Sequence, residues 1–193
     1  MKTLKSILIL SLCIFCISSC KKEDDMGGTP IDEIPSGMVR LSKFGMQAFF
    51  PENKWGNRSY TDFDPEFKMD CMVTFLLESE TTAGYSVTIS FGRLVESFEN
   101  ESLANEKIGR YKYAFGGFQG WTVSEIIPVE INGYKASKIE CEYKYENVDR
   151  FTEDYFIYQN KKLYRIILGM PKDEMAAHYT NCMKIINTLK ITD

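Results

Sequence analysis

Between Trp121 and Leu168 the chain repeats one pattern three times: a run suited to a strand, a short polar turn, then another run. The first turn is Asn132-Gly133, the pair best suited to a two-residue hairpin, because both loop positions need positive φ. The other two are Glu146-Asn147-Val148-Asp149 and Asn160-Lys161-Lys162. The runs between them are residues 121–131, 134–145, 151–158 and 163–168. Connections this short admit only antiparallel neighbours, since parallel strands need crossovers of a dozen residues or more. A four-strand antiparallel meander is therefore predicted, and the rest of the chain must pack on it. Pro128 has no N–H to give a ladder, so the first run is expected at an edge or at a bulge.

Upstream, residues 38–42 and 46–50 read as another hairpin around Lys43-Phe44-Gly45, closed by Pro51. Residues 52–70 are polar, carry scattered aromatics, and read as a loop broken at Asn57 and Pro65. Residues 71–78 form a strand run, and Thr81-Thr82-Ala83-Gly84 turns the chain. Tyr85, Val87, Ile89 and Phe91 then alternate with Ser86, Thr88 and Ser90, which predicts one buried face and one polar face. Two stretches have helical period instead. Residues 100–114 bring Leu103, Ile108, Tyr111 and Phe115 near one stripe, with Glu99 and Glu101 where a helix dipole favours anions and Gly116-Gly117 to close. After Pro171, the residues Met175, Tyr179, Cys182, Ile186 and Leu189 form one apolar stripe that should lie on the sheet, with Lys184 and Lys190 late in the helix. Hairpin strands with segregated helices give an α+β fold: an antiparallel β-sheet flanked by helices.

Particular residues also suggest a family. Phe49-Phe50-Pro51 with Trp55 just beyond resembles the "aromatic–x–Pro … Trp" opening of PsbP-like and DcrB-like domains. Residues 155–167, from Tyr155 through Asn160 to Ile167, resemble their last strand pair, and residues 179–191 their C-terminal helix and exit. The likeness spans residues 38–191 and implies a PsbP-like α/β/α sandwich. It implies little about activity, because a fold does not fix a function.

The first 19 residues differ in kind. Lys2 and Lys5 precede an apolar run and the small pair Ser18-Ser19, the order of a secretory signal peptide. The run is shorter than the ~20 residues that span a bilayer. Ile17-Ser18-Ser19-Cys20 resembles the lipobox of bacterial lipoproteins. That resemblance implies diacylation of the Cys20 thiol, cleavage before it and acylation (a palmitate-type chain) of the new amine. The membrane would then be a partner through the anchor on Cys20, since stable anchoring needs more than one chain. Lys22, Glu23, Asp24 and Asp25 resemble the export signal of surface lipoproteins in some Gram-negative bacteria. The implied location is the outer membrane, on the cell surface or otherwise on the periplasmic face; a solvated charged tether is the plain alternative for these four residues. Residues 26–36 hold Gly27, Gly28, Pro30 and Pro35 without apolar period and read as linker. The expected division is a signal peptide over 1–19, a lipidated tether over 20–37 and one globular domain over 38–193.

Losing residues 1–19 removes Lys2 and Lys5, leaving 21 cations against 27 acids, a formal charge of −6. That balance argues against a nucleic-acid partner, which selects basic patches. Outside the signal and lipobox the cysteines are Cys71, Cys141 and Cys182, at spacings that match no zinc or redox motif. One disulfide among them stays open; Cys141 and Cys182 fall on apolar faces, where free thiols act as small hydrophobes. No cofactor or metal is implied. His178 is the single histidine and lacks partners for catalysis or zinc. Asp62, Asp64 and Glu66 open like a calcium loop, but Phe67 and Val73 stand where glycine and glutamate are needed. Glu140 and Glu142 share a strand face with Lys138 and Lys144, which reads better as cross-strand pairing than as a carboxylate pair for hydrolysis. Tyr113, Phe118 and Trp121 cluster with Gly116, Gly117 and Gly120; with Trp55 they are the candidate ligand- or partner-binding residues, against the plain reading that they seal the core. No catalytic residue is assigned. The expected function is a non-enzymatic binding or accessory lipoprotein with a protein or glycan partner. The alternatives are an immunity or inhibitor lipoprotein acting on a toxin or hydrolase, and a small hydrolase.

Overall fold

In the computed structural model, residue 34 and residues 36–52, 55–60, 69–77, 87–111 and 119–193 are described. The meander forms as its turns require. Strand β6 (Gln119–Val123) and β7 (Ile127–Ile131) both run antiparallel to β8 (Tyr134–Tyr145), β8 pairs with β9 (Val148–Gln159), and β9 with β10 (Lys162–Pro171). Asn132-Gly133 forms the two-residue turn read from sequence, and the other two turns are tighter than read. Only Asn132-Gly133, Glu146-Asn147 and Asn160-Lys161 lie between paired strands, and each of these residues has positive φ. That is the two-residue hairpin geometry whose twist matches the flanking strands. Glu146 and Lys161 are poor residues for it, so the long ladders on both sides hold them there.

The expected run over residues 121–131 is two strands. A register shift between Gln119 and Thr122 is followed by a break at Ser124, whose hydroxyl accepts from the Glu140 N–H at 3.0 Å. Pro128 sits in β7 opposite Ser137. Ile131↔Tyr134 closes a two-residue hairpin and is hydrogen-bonded, so by alternation position 128 faces away from β8 and the missing N–H costs the ladder nothing.

The remaining strands extend the sheet on the far side of β10. Strand β5 (Thr88–Ser97) pairs with β10, β4 (Met69–Leu77) with β5, and β3 (Trp55–Tyr60) with β4, giving eight antiparallel strands. Strand β3 corrects the expected loop over residues 52–70. The stretch is too polar to read as a strand by itself, and the ladder offered by β4 orders its backbone. Residues 81–86, with the expected turn and Tyr85, lie outside the described residues. The first hairpin, β1 (Met38–Lys43) and β2 (Met46–Pro51), does not join this sheet. It forms a second, three-stranded sheet with β11 (Lys190–Ile191).

Two apolar layers fix the sandwich. Ile89, Phe91, Tyr155, Ile157, Tyr164, Ile166 and Leu168 bury one sheet face with Met46, Ala48 and Phe50 of β2 and with Cys182, Ile185 and Ile186 of helix α2 (Met175–Ile186). Leu163, Phe156, Ile139 and Cys141 bury the opposite face against Ala104, Ile108 and Tyr111 of helix α1 (Glu101–Tyr111). Alternation along β9 and β10 sends consecutive residues into different layers. The central strands are therefore buried along most of their length, polar residues included. Ser90, expected on a polar face, is buried because both faces are covered.

In α1 the buried stripe is Ala104, Ile108 and Tyr111, while Leu103 is 45% exposed, a correction to the expected stripe. Ala104 and Ile108 are one turn apart and Tyr111 follows at i+3, so a small residue rather than leucine meets the sheet. The Leu103 N–H donates to Asn100 Oδ1 at 3.1 Å, which makes Asn100 the N-cap. Asn100→Ala should cost about 1 kcal/mol in urea unfolding; Asn100→Asp should keep the cap and most of the stability.

The helix α2 ends at Ile186, not beyond Lys190. Thr188 Oγ1 donates to Ile185 O at 2.7 Å and accepts from the Phe49 N–H at 2.8 Å, turning the chain back onto β2. Leu189 is buried past the helix end and Lys190 belongs to β11. Cys141 and Cys182 are free and lie in different layers, so they cannot bridge each other. Burial pushes both thiols up to about 12, as expected of thiols acting as apolar core.

Candidate functional site

A cleft of about 630 Å³ opens where the start of α1 passes over β7, β8 and β9. The helix brings Glu101, Asn105 and Ile108; the β7–β8 hairpin brings Pro128, Val129, Glu130, Lys135, Ala136 and Ser137; β9 brings Phe156 and Tyr158. The floor is apolar because Ile108 and Phe156, core residues of the layer under α1, line the opening. The rim is polar because Glu101, Asn105, Glu130 and Lys135 occupy exposed positions of the helix and the edge strands. Glu130 and Lys135 are cross-strand partners. Tyr158 is held by its hydroxyl, which donates to Phe98 O at 3.0 Å.

The buried ionisable groups lie elsewhere. Beneath the end of α1, Arg165 and Asp154 are 3% and 1% exposed and pair at 3.1 Å from Nη2 to Oδ2. The Arg165 guanidinium stands 3.8 Å over the Tyr111 ring, and Tyr111 packs edge-on against Phe156. Asp154 Oδ1 has no hydrogen-bond partner among the described residues. Burial pushes the Asp154 carboxyl well above the usual carboxylate range.

On the opposite face Glu153, 1% exposed, accepts from Lys138 Nζ at 3.0 Å, from the Tyr155 hydroxyl at 2.5 Å and from the Tyr179 hydroxyl at 3.1 Å. Burial opposes the charge on Lys138, but hydrogen bonds to Glu140 and Glu153 raise its pKa overall. Burial raises Tyr155 and Tyr179 in turn, and Glu153 adds to both shifts. Three donors on one carboxylate satisfy a polar cluster between sheet and helix.

The sequence candidates are dispersed. Trp55 packs edge-on against Phe50, with centroids 5.8 Å apart, and joins the core. Trp121 is half-buried in β6, and its indole N–H finds no acceptor among the described residues. Cys20, Lys22, Glu23, Asp24 and Asp25 lie outside the described residues, as do Tyr113, Phe118, Asp62, Asp64 and Glu66. Neither Trp55 nor Trp121 lines the cleft. Glu140 pairs with Lys138 two residues earlier on the same strand at 2.5 Å and Glu142 with Lys172 at 2.7 Å, while the cross-strand pair on this face is Lys138 with the buried Glu153. His178 Nε2 lies 3.2 Å from Glu174, four residues earlier at the N-cap of α2. Among the described residues no three His, Cys, Asp or Glu converge as a metal-binding group, and no helix is long and apolar enough to cross a membrane. Sequence reading missed the cleft because its walls come from three elements distant in the chain. Only the Asn132-Gly133 hairpin, which aligns Glu130 with Lys135, was a usable signal.

No family model matches the chain, and no curated protein matches it. Solved structures do. Cyanobacterial PsbP (CyanoP) from Synechocystis sp. PCC 6803 has a TM-score of 0.58 at 15% identity, over 86% of this chain and 97% of that one. LpqN, involved in cell envelope biogenesis of Mycobacterium tuberculosis, has a TM-score of 0.41 at 13% identity, covering 88% of each chain. A Pseudomonas aeruginosa protein of unknown function has a TM-score of 0.45 at 11% identity, over 78% of this chain and 94% of that one. The first likeness shows a PsbP-like fold; the other two are too distant in shape to carry an argument.

Proposed function

We propose that this PsbP-like domain is a non-enzymatic binding module, held at the outer membrane by lipid on Cys20 and displayed on the cell surface. The observation that supports it most is the cleft under α1, with an apolar floor and a rim of separate polar side chains. Such a site holds a ligand by shape and a few polar contacts. The buried ionisable groups Glu153, Asp154, Arg165 and Lys138 pair with one another rather than lining it. Carboxylates, an amide, a hydroxyl and the Tyr158 ring suit a hydroxyl-rich ligand, so a glycan is the proposed partner.

Two measurements test this reading. In cell fractionation, Cys20→Ala should move the protein from membrane to soluble fractions; continued pelleting with membranes would refute the anchor. On a glycan array, the unmodified protein should bind at least one glycan class, and Asn105→Trp, which fills the cleft from an exposed helix position, should lose that binding. Binding unchanged by Asn105→Trp would remove the cleft from consideration, and no binding by the unmodified protein would remove the glycan.

A further inference from the structure

Residues 190–193 sit in a cradle built from four distant parts of the fold. Lys190 and Ile191 pair with Gln47 and Met46 as a two-residue strand. The Ile191 N–H donates to the Tyr134 hydroxyl at 3.0 Å, and the Thr192 N–H to Gly45 O at 2.8 Å. The Asp193 carboxylate then accepts from Arg93 Nη1 at 2.5 Å and from the Tyr164 hydroxyl at 3.0 Å. Asn160 Nδ2 donates to the Asp193 main-chain oxygen at 2.5 Å. The turn of the β1–β2 hairpin is shaped for this residue: a Cβ on Gly45, at φ +73°, would fall 2.2 Å from the Asp193 carboxyl group.

These contacts combine two recurring modes of peptide capture. One is addition of an extended strand to a sheet edge, where main-chain bonds give affinity. The other is a charge-assisted clamp on a carboxylate, which gives specificity. The receptor half does not depend on the segment it holds. Arg93 and Tyr164 stand on β5 and β10 of the eight-stranded sheet, Tyr134 on β8, and Asn160 and Gly45 in hairpin turns closed by their own ladders. The bound half is short: four residues held by a two-residue ladder, the N–H bonds of Ile191 and Thr192, and the Asp193 clamp, whose ion-paired side chains are 20% and 31% exposed. A segment of four residues opens locally at far less cost than global unfolding.

The geometry points to a peptide-binding site that this chain fills with its own residues 190–193. Its external ligand is an extended partner segment with an aliphatic residue followed, two positions on, by an acidic side chain. The site shares no residue with the cleft under α1. Occupation in cis sets a high effective concentration that a partner must exceed. Weakening the resident segment therefore exposes the site.

The test is amide NMR on the full chain with acetyl-Lys-Ile-Thr-Asp-amide as probe. In the Asp193→Ala chain, millimolar peptide should shift the Gly45 and Gln47 signals saturably back toward their unmodified positions. The unmodified chain should bind at least about tenfold more weakly, as should the Asp193→Ala chain for acetyl-Lys-Ile-Thr-Asn-amide. Adding Arg93→Ala to the Asp193→Ala chain should abolish the shift. Asp193→Asn, which keeps the side-chain shape, serves if the alanine variant melts. A folded variant whose signals do not move, or move equally with the Asn peptide, would make the segment a structural strap only and overturn the proposal.

Discussion

Replacing Arg165 with methionine should lower folding stability by about 3–5 kcal/mol in urea unfolding near neutral pH, the cost of leaving a buried partner charge alone. Arg165 pairs with Asp154 at 3.1 Å, both almost wholly buried, and its guanidinium also covers the Tyr111 ring. The loss therefore also loosens the end of α1. Asp154→Leu combined with Arg165→Met should recover most of the deficit, because apolar groups of similar volume commonly replace a buried ion pair at little net cost. The pH dependence has a definite sign. Burial holds the Asp154 carboxyl above its unfolded value, so its protonated form is favoured in the folded chain. Stability from such a group is complete below the unfolded pKa of about 4 and is lost as pH rises through the folded value. Arg165 offsets that loss by compensating the ionised form. Arg165→Met should therefore be more damaging at about pH 8 than at about pH 5. Equal losses at both would mean that Asp154 is not the group left uncompensated.

Phe50→Ala should cost a further about 3–5 kcal/mol, the usual penalty for an aromatic cavity in a packed core. At the size of this domain that lowers the melting temperature by about 10 °C. Phe50 is 1% exposed and meets both Trp55 and Phe91 edge-on at 5.8 Å. It is the point where the three-stranded sheet enters the core of the eight-stranded one. Val39, its cross-strand partner, is 45% exposed, so Val39→Ala should change stability by less than about 0.5 kcal/mol. A small loss for Phe50→Ala, comparable to that control, would mean the hairpin does not dock on the main sheet.

These two sites differ in how far sequence reading reaches them. Phe50 belongs to a strand legible from the turn before it and Pro51 after it, though only the structure shows that Phe50 rather than Phe49 turns into the core. The Asp154–Arg165 pair could not be read from the sequence, because a strand covered on both faces has no wet side to which a charge can be assigned, and the two partners lie on neighbouring strands eleven residues apart. The same double coverage obscured Ser90. Strand β3 was unreadable for the opposite reason: it carries too little apolar pattern, and β4 supplies its order. The cleft required three elements far apart in the chain, so neither period nor motif could announce it.

The amino-acid sequence by itself determined the antiparallel meander, the two helices and the α+β class. Turn chemistry and hydrophobic period act locally, between residues a few positions apart, and are written directly in the order of side chains. The tertiary structure alone decided what packs on what. It turned the chain after Ile186 so that Lys190 and Ile191 became a strand, detached the first hairpin into its own sheet, paired Asp154 with Arg165 and opened the cleft under α1. Those outcomes depend on which surfaces compete for the same burial, and that competition exists only once the layers meet.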